Sequence, residues 1–65
     1  MKAWIRIGRK EGFISSYNLL FDNGLRLHTP DLTWLSADDR AHTRAQFAEV
    51  VKALKDANVS IEGEV

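Results

Sequence analysis

The sequence predicts an α+β fold: a three-stranded antiparallel meander, one amphipathic helix packed on one sheet face, and a C-terminal strand (β-β-β-α-β). Three observations carry that reading. Residues 2–7 and 13–21 alternate along the chain, the period of half-buried strands. Asp22-Asn23-Gly24 stands between two apolar runs, and Asn-Gly in that setting is the strongest short hairpin signal. Residues 36–58 carry apolar side chains at helical spacing.

In the first strand Ala3, Ile5 and Ile7 point one way and Lys2, Trp4 and Arg6 the other. Residues 8–12 read as a turn bounded by Gly8 and Gly12, with Arg9, Lys10 and Glu11 at its tip. The second run puts Phe13, Ser15, Tyr17, Leu19 and Phe21 on one face and Ile14, Ser16, Asn18 and Leu20 on the other. Residues 25–28 make a short third strand with Leu25 and Leu27 toward the helix, and Pro30 ends it because it cannot donate to a ladder. The connection that follows has Leu32, Trp34 and Leu35 as apolar anchors.

Ser36 is placed to cap the helix, and Asp39 three residues on to reach back as the acid of a shortened capping box. Phe47, Val50, Val51 and Leu54 form the buried stripe, and Asn58 closes the helix in a left-handed C′ position. Val59, Ile61 and Val65 then alternate with Ser60, Glu62 and Glu64 as a last strand, which can run beside the first strand or the third; the first, in the parallel sense, is preferred because that leaves the meander intact. The inner face is expected to hold Ile5, Ile7, Tyr17, Leu19, Phe21, Leu25, Leu27, Val59 and Ile61 against that stripe.

The 65 residues amount to one domain, and a chain of this length buries only about 60% of its unfolded surface. No cysteine is present, which excludes disulfides and thiolate metal sites and fits a reducing cytoplasm. Nine basic and nine acidic residues cancel, against the basic excess of a general nucleic-acid binder. No signal-peptide run and no apolar stretch near the ~20 residues of a membrane span appears, so no membrane association is expected.

With one helix for two sheet faces, the other face stays open, carrying Lys2, Trp4, Arg6, Ile14, Leu20, Arg26, His28, Glu62 and Glu64. Trp and Arg dominate binding hot spots, so Trp4, Arg6 and Arg26 are candidate partner-binding residues. Trp4 could equally fold over Leu20 and Ile14 as a second small core, or meet a twin subunit; monomer and homodimer both stay open. The charged side of the helix, with Asp38, Glu49 and Asp56, is the second candidate surface. Arg40 and Arg44 fall close to the buried stripe's direction. Either that half of the helix overhangs the sheet, presenting them with Lys10 or Arg9 nearby, or it turns Ala37, Ala41, Ala45 and Ala48 inward instead, or the arginines snorkel and pair with Asp31 or Asp39.

Enzymes find little support. His28 and His42 have no cysteine or G-x-S-x-G serine to serve. Adjacent Asp38 and Asp39 splay about 100° apart on a helix, too far to share a metal or a proton, and suit the helix dipole instead. No catalytic residue, metal ligand or cofactor is therefore expected. Trp4 alone is a poor stacking platform, so a nucleic-acid-binding regulator using Arg6, Lys10, Arg26, Arg40 and Arg44 is second to a protein partner, and a self-associating structural or assembly subunit is the third reading.

In size and build, with a hairpin core from Trp4 to Leu27, one helix and no catalytic set, the chain resembles the small cysteine-free inhibitors encoded by phages and mobile elements, of the anti-CRISPR kind. The resemblance implies a stoichiometric binder, acting in the host cell cytoplasm, that blocks a larger host defence complex. It carries over no site residue.

Overall fold

The computed structural model describes residues 1–64, the side chain of Glu64 excepted. The places expected for Val65 and for the Glu64 side chain lie outside the described residues. The elements follow the order β1 (Lys2–Lys10), β2 (Phe13–Phe21), β3 (Arg26–His28), a 3-10 turn (Leu32–Trp34), α1 (Ala37–Asp56) and β4 (Ser60–Glu64). They build one four-stranded sheet ordered β3-β2-β1-β4. The meander is antiparallel, and β4 lies parallel to β1, the preferred of the two placements, which leaves the meander intact.

The first hairpin is longer than its sequence suggests. Residues 8–10 are strand, not turn, and the chain reverses at Glu11-Gly12 alone. Both have positive φ, 51° and 84°, the two-residue geometry that follows the twist of the flanking strands. Gly8 serves a different end. Gly8 pairs with Ser16 and Arg9 with Ile14, so Ser15 is an extra residue, a β-bulge. A Cβ on Gly8 would collide with Ser16 Oγ and crowd Ser15 Oγ, so both serines stand on its side of the sheet.

One inserted residue reverses the parity of the chain beyond it. Ser15 therefore leaves the helix face expected for it. Ile14 leaves the open face and lines a cleft under α1 with Tyr17, Leu32 and Ala41.

Phe21 N–H donates to Leu25 O and Gly24 N–H to Phe21 O, giving a three-residue loop with Gly24 at φ 90°. Leu25 thus precedes β3 and stays exposed, not turned into the core. Asp31 opens the 3-10 turn by accepting from Thr33 N–H (2.9 Å). Leu32 is buried there, but Trp34 is 83% exposed and anchors nothing. Two residues later Ser36 Oγ accepts from Asp39 N–H (3.2 Å) and starts α1. The acids Asp38 and Asp39 face the positive end of the helix dipole. Ala57 caps the far end, and Asn58 takes the left-handed conformation (φ 66°) expected of it.

Ala3, Leu19 and Phe21 are the buried centre, and Ile5, Phe47, Val51, Leu54, Val59 and Ile61 pack around them. The Tyr17 and Phe47 rings stack at 5.2 Å, holding the middle of α1 over β2. No residue of α1 is fully buried, and Val50, expected in the stripe, is 42% exposed beside Leu27. The helix is too narrow to cover four strands, so apolar grooves run along both its flanks.

Leu19→Ala should lower the unfolding free energy by about 2–5 kcal/mol in urea titrations, because a fully enclosed side chain leaves a cavity. Val50→Ala, at an open position, should cost less than about 1 kcal/mol. Glu11→Asn should raise stability by about 1 kcal/mol, since Asn tolerates the left-handed region better.

Candidate functional site

β1 carries Lys2, Trp4 and Arg6 on the face away from α1, with Asn18 and Leu20 of β2 opposite Arg6 and Trp4 and Arg26 beside Leu20 on β3. Trp4 is therefore on the uncovered face, as expected, and half-buried rather than free. Its direct cross-strand neighbour is Leu20. Ile14, the second residue proposed for a small core around it, is on the other side of the sheet because of the bulge.

The indole has a charged surround. Lys2 Nζ lies 5.3 Å from its ring centroid, in cation–π range. The same ammonium is 2.9 Å from Glu62 Oε1 on β4, the strand residue paired with Trp4. Hydrogen bonding to Lys2, then the Lys2 charge, with a smaller share from the Trp4 indole N–H, hold the Glu62 carboxyl below its ordinary range. Lys2, Trp4 and Glu62 thus form one cluster, and Arg6 and Arg26 are exposed around it. Asn18 Nδ2 donates to Arg6 O and to Ser16 Oγ, each at 3.1 Å, pinning the strand beneath Arg6.

Asp38, Glu49 and Asp56 are all exposed. At 100° per residue they fall within about 20° of one another and opposite Phe47, along a line of about 27 Å. They occupy the outer side of α1, across the molecule from Trp4. The six candidate residues thus divide between two opposite surfaces. Trp4, Arg6 and Arg26 come together; the three acids form a separate line.

Arg40 and Arg44 make no ion pair with Asp31 or Asp39 among the described residues. Asp31 instead accepts from Thr33 Oγ1 (2.6 Å) and Thr33 N–H, which hold its carboxyl below the usual range, with Lys10 adding a lesser charge effect. Arg40 and Lys10 face a common cleft of about 420 Å³ between the hairpin tip and the 3-10 turn, with Phe13 and Trp34. Arg44 lines the adjoining cleft over Tyr17. The sequence placed Trp34 as an anchor and so missed its part here; its neighbour Leu32 takes the burial instead.

His28 Nδ1 lies 3.1 Å from Thr29 O, so its ring is engaged by the adjacent backbone and not by Asp31. Among the described residues no helix is long and apolar enough to cross a membrane. The chain matches no known protein family, no curated protein and no solved structure.

Lys2→Met tests the Trp4 cluster. The midpoint of Glu62, followed by NMR, should rise toward the ordinary carboxylate value. Because the folded-state pKa is depressed, the linked stability is present above the unfolded value and is lost as pH falls through the folded one. In the variant that part of the acid-dependent loss should disappear.

Proposed function

We propose that this chain is a non-enzymatic protein-binding module. We read it as a phage-type inhibitor that docks on a larger host defence complex of the CRISPR-Cas kind, in the host cytoplasm, and blocks it. The observation that carries the reading is the uncovered sheet face. Trp4 sits at its middle over Leu20, exposed Arg6 and Arg26 flank it, and the single helix packs on the opposite face. A half-buried, positioned Trp among arginines is the make-up of an interface hot spot, because it adds contact area at little further ordering cost. The acidic line on α1 supplies a second surface of opposite sign for the same large partner.

A second reading, a small nucleic-acid-binding regulator, draws on one feature. β1 and β3 carry Lys2, Arg6, Arg9, Lys10 and Arg26, and none of the first three strands contains an acid. Such binding would weaken steeply with salt.

The immobilised protein should retain a specific complex from host extract, and its expression should relieve CRISPR interference against a targeted plasmid. Trp4→Ala or the pair Arg6→Glu and Arg26→Glu should weaken capture by about 30-fold or more, as loss of a hot spot does. Unchanged capture by both variants would remove the sheet face from the reading. Failure to relieve interference would remove the defence target. Salt-sensitive binding to oligonucleotides, lost in the same double variant, would favour the second reading.

A further inference from the structure

We propose that the outer edge of β3 is a homodimer interface, where two copies join their sheets into one of eight strands about a two-fold axis at Leu27. The backbone sets the register. Phe21 N–H donates to Leu25 O (2.9 Å) and Thr29 N–H to Tyr17 O (3.0 Å). Bonding direction alternates along a strand, so Leu25, Leu27 and Thr29 turn their peptide groups toward β2, and Arg26 and His28 turn theirs outward. An antiparallel second copy centred on Leu27 sets Arg26 opposite His28 of that copy, and His28 opposite its Arg26. Both are hydrogen-bonded positions, so four backbone bonds close. Pro30, the next outward residue, has no N–H and ends the ladder there.

The side chains fit the same occupant. On the helix side, Leu27 meets Leu27 of the second copy at a position without backbone bonds, where side chains approach most closely. Behind it runs a groove of about 270 Å³ lined by Leu19, Leu27, Pro30, Phe47 and Val50, with no Lys, Arg, Asp or Glu. Leu27 is 43% exposed and Val50 42%, so the strip is apolar, uncharged and open. A groove without Lys, Arg, Asp or Glu is matched by its own copy, which brings no ion onto it, while Arg26 stays exposed on the opposite sheet face. The two-fold axis puts both helices on one side with each Val50 toward the axis. The other edge is blunted: the pairing of β4 with β1 carries a register irregularity.

Area sets the strength. The groove lining with Leu25 and Arg26 amounts to about a dozen residues, fewer than the 20–30 a side of a standard interface, so the dimer is of the weak, micromolar kind. The interface takes in Arg26 at the edge of the Trp4 face and leaves Trp4 and Arg6, on β1, open.

Light scattering should show the mass rising from 7.4 kDa toward twice that value between about 1 µM and about 1 mM protein. The chain has no cysteine, so Leu27→Cys introduces a single thiol. Under mild oxidation it should cross-link to its twin. Leu25→Cys should not, because the two-fold leaves its thiols about 14 Å apart along the strands, beyond disulfide reach. Val50→Lys should weaken self-association at least tenfold with an unchanged circular dichroism spectrum. A constant mass of 7.4 kDa at all concentrations would overturn the proposal and leave the edge to an extended segment of another protein. Cross-linking of Leu25→Cys as readily as Leu27→Cys would also overturn it, since the register would then be wrong.

Discussion

The structure rests on the seating of one short apolar stripe, Phe47, Val51 and Leu54, on the patch of sheet around Ala3, Leu19 and Phe21. Everything that gives the chain two different sides follows from that contact. It turns the alternating residues of β1 and β2 into an inner and an outer set. The contact is small. Tyr17 stacked on Phe47 extends it, but no helical residue is fully enclosed. In a domain whose stability is a small difference between large terms, this patch leaves little to spare. That is why uncovered apolar edges matter here.

The bulge at Ser15 is the second determinant. It shifts the hairpin by one residue, so the half near the tip presents the side chains that simple alternation assigns to the other face. Ile14 joins the cleft under the helix, while Ser15 and Ser16 crowd over Gly8 on the open face. The open face is consequently more polar near the tip and keeps Trp4 and Leu20 as its apolar centre. Lys2 and Glu62 set paired charges against that centre, with the Lys2 ammonium over the Trp4 ring.

A neutral chain is thereby divided into unlike regions. Basic residues concentrate on β1, and Arg40 and Arg44 line the clefts between α1 and the hairpin, with the acidic line Asp38, Glu49 and Asp56 on the far side of the helix. Net charge conceals this, because it sums over surfaces that never face the same neighbour. A partner reading the sheet face meets arginines around an indole; a partner reading the helix meets carboxylates.

Local chemistry was legible in the sequence wherever a few adjacent residues decide the outcome. Ser36 as cap, Asn58 in the left-handed position, the Asn-Gly reversal and the strand alternation around Trp4 all follow from short patterns, whereas the edge that β4 joins does not. Tertiary structure alone decided the rest. Whether Gly8 makes a turn or a bulge depends on the strand opposite, and whether Val50, Leu25 and Trp34 are covered depends on how far one helix can reach across four strands. The sequence states which side chains are apolar; only the packed geometry, through the finite width of α1, states which of them find a partner within the chain.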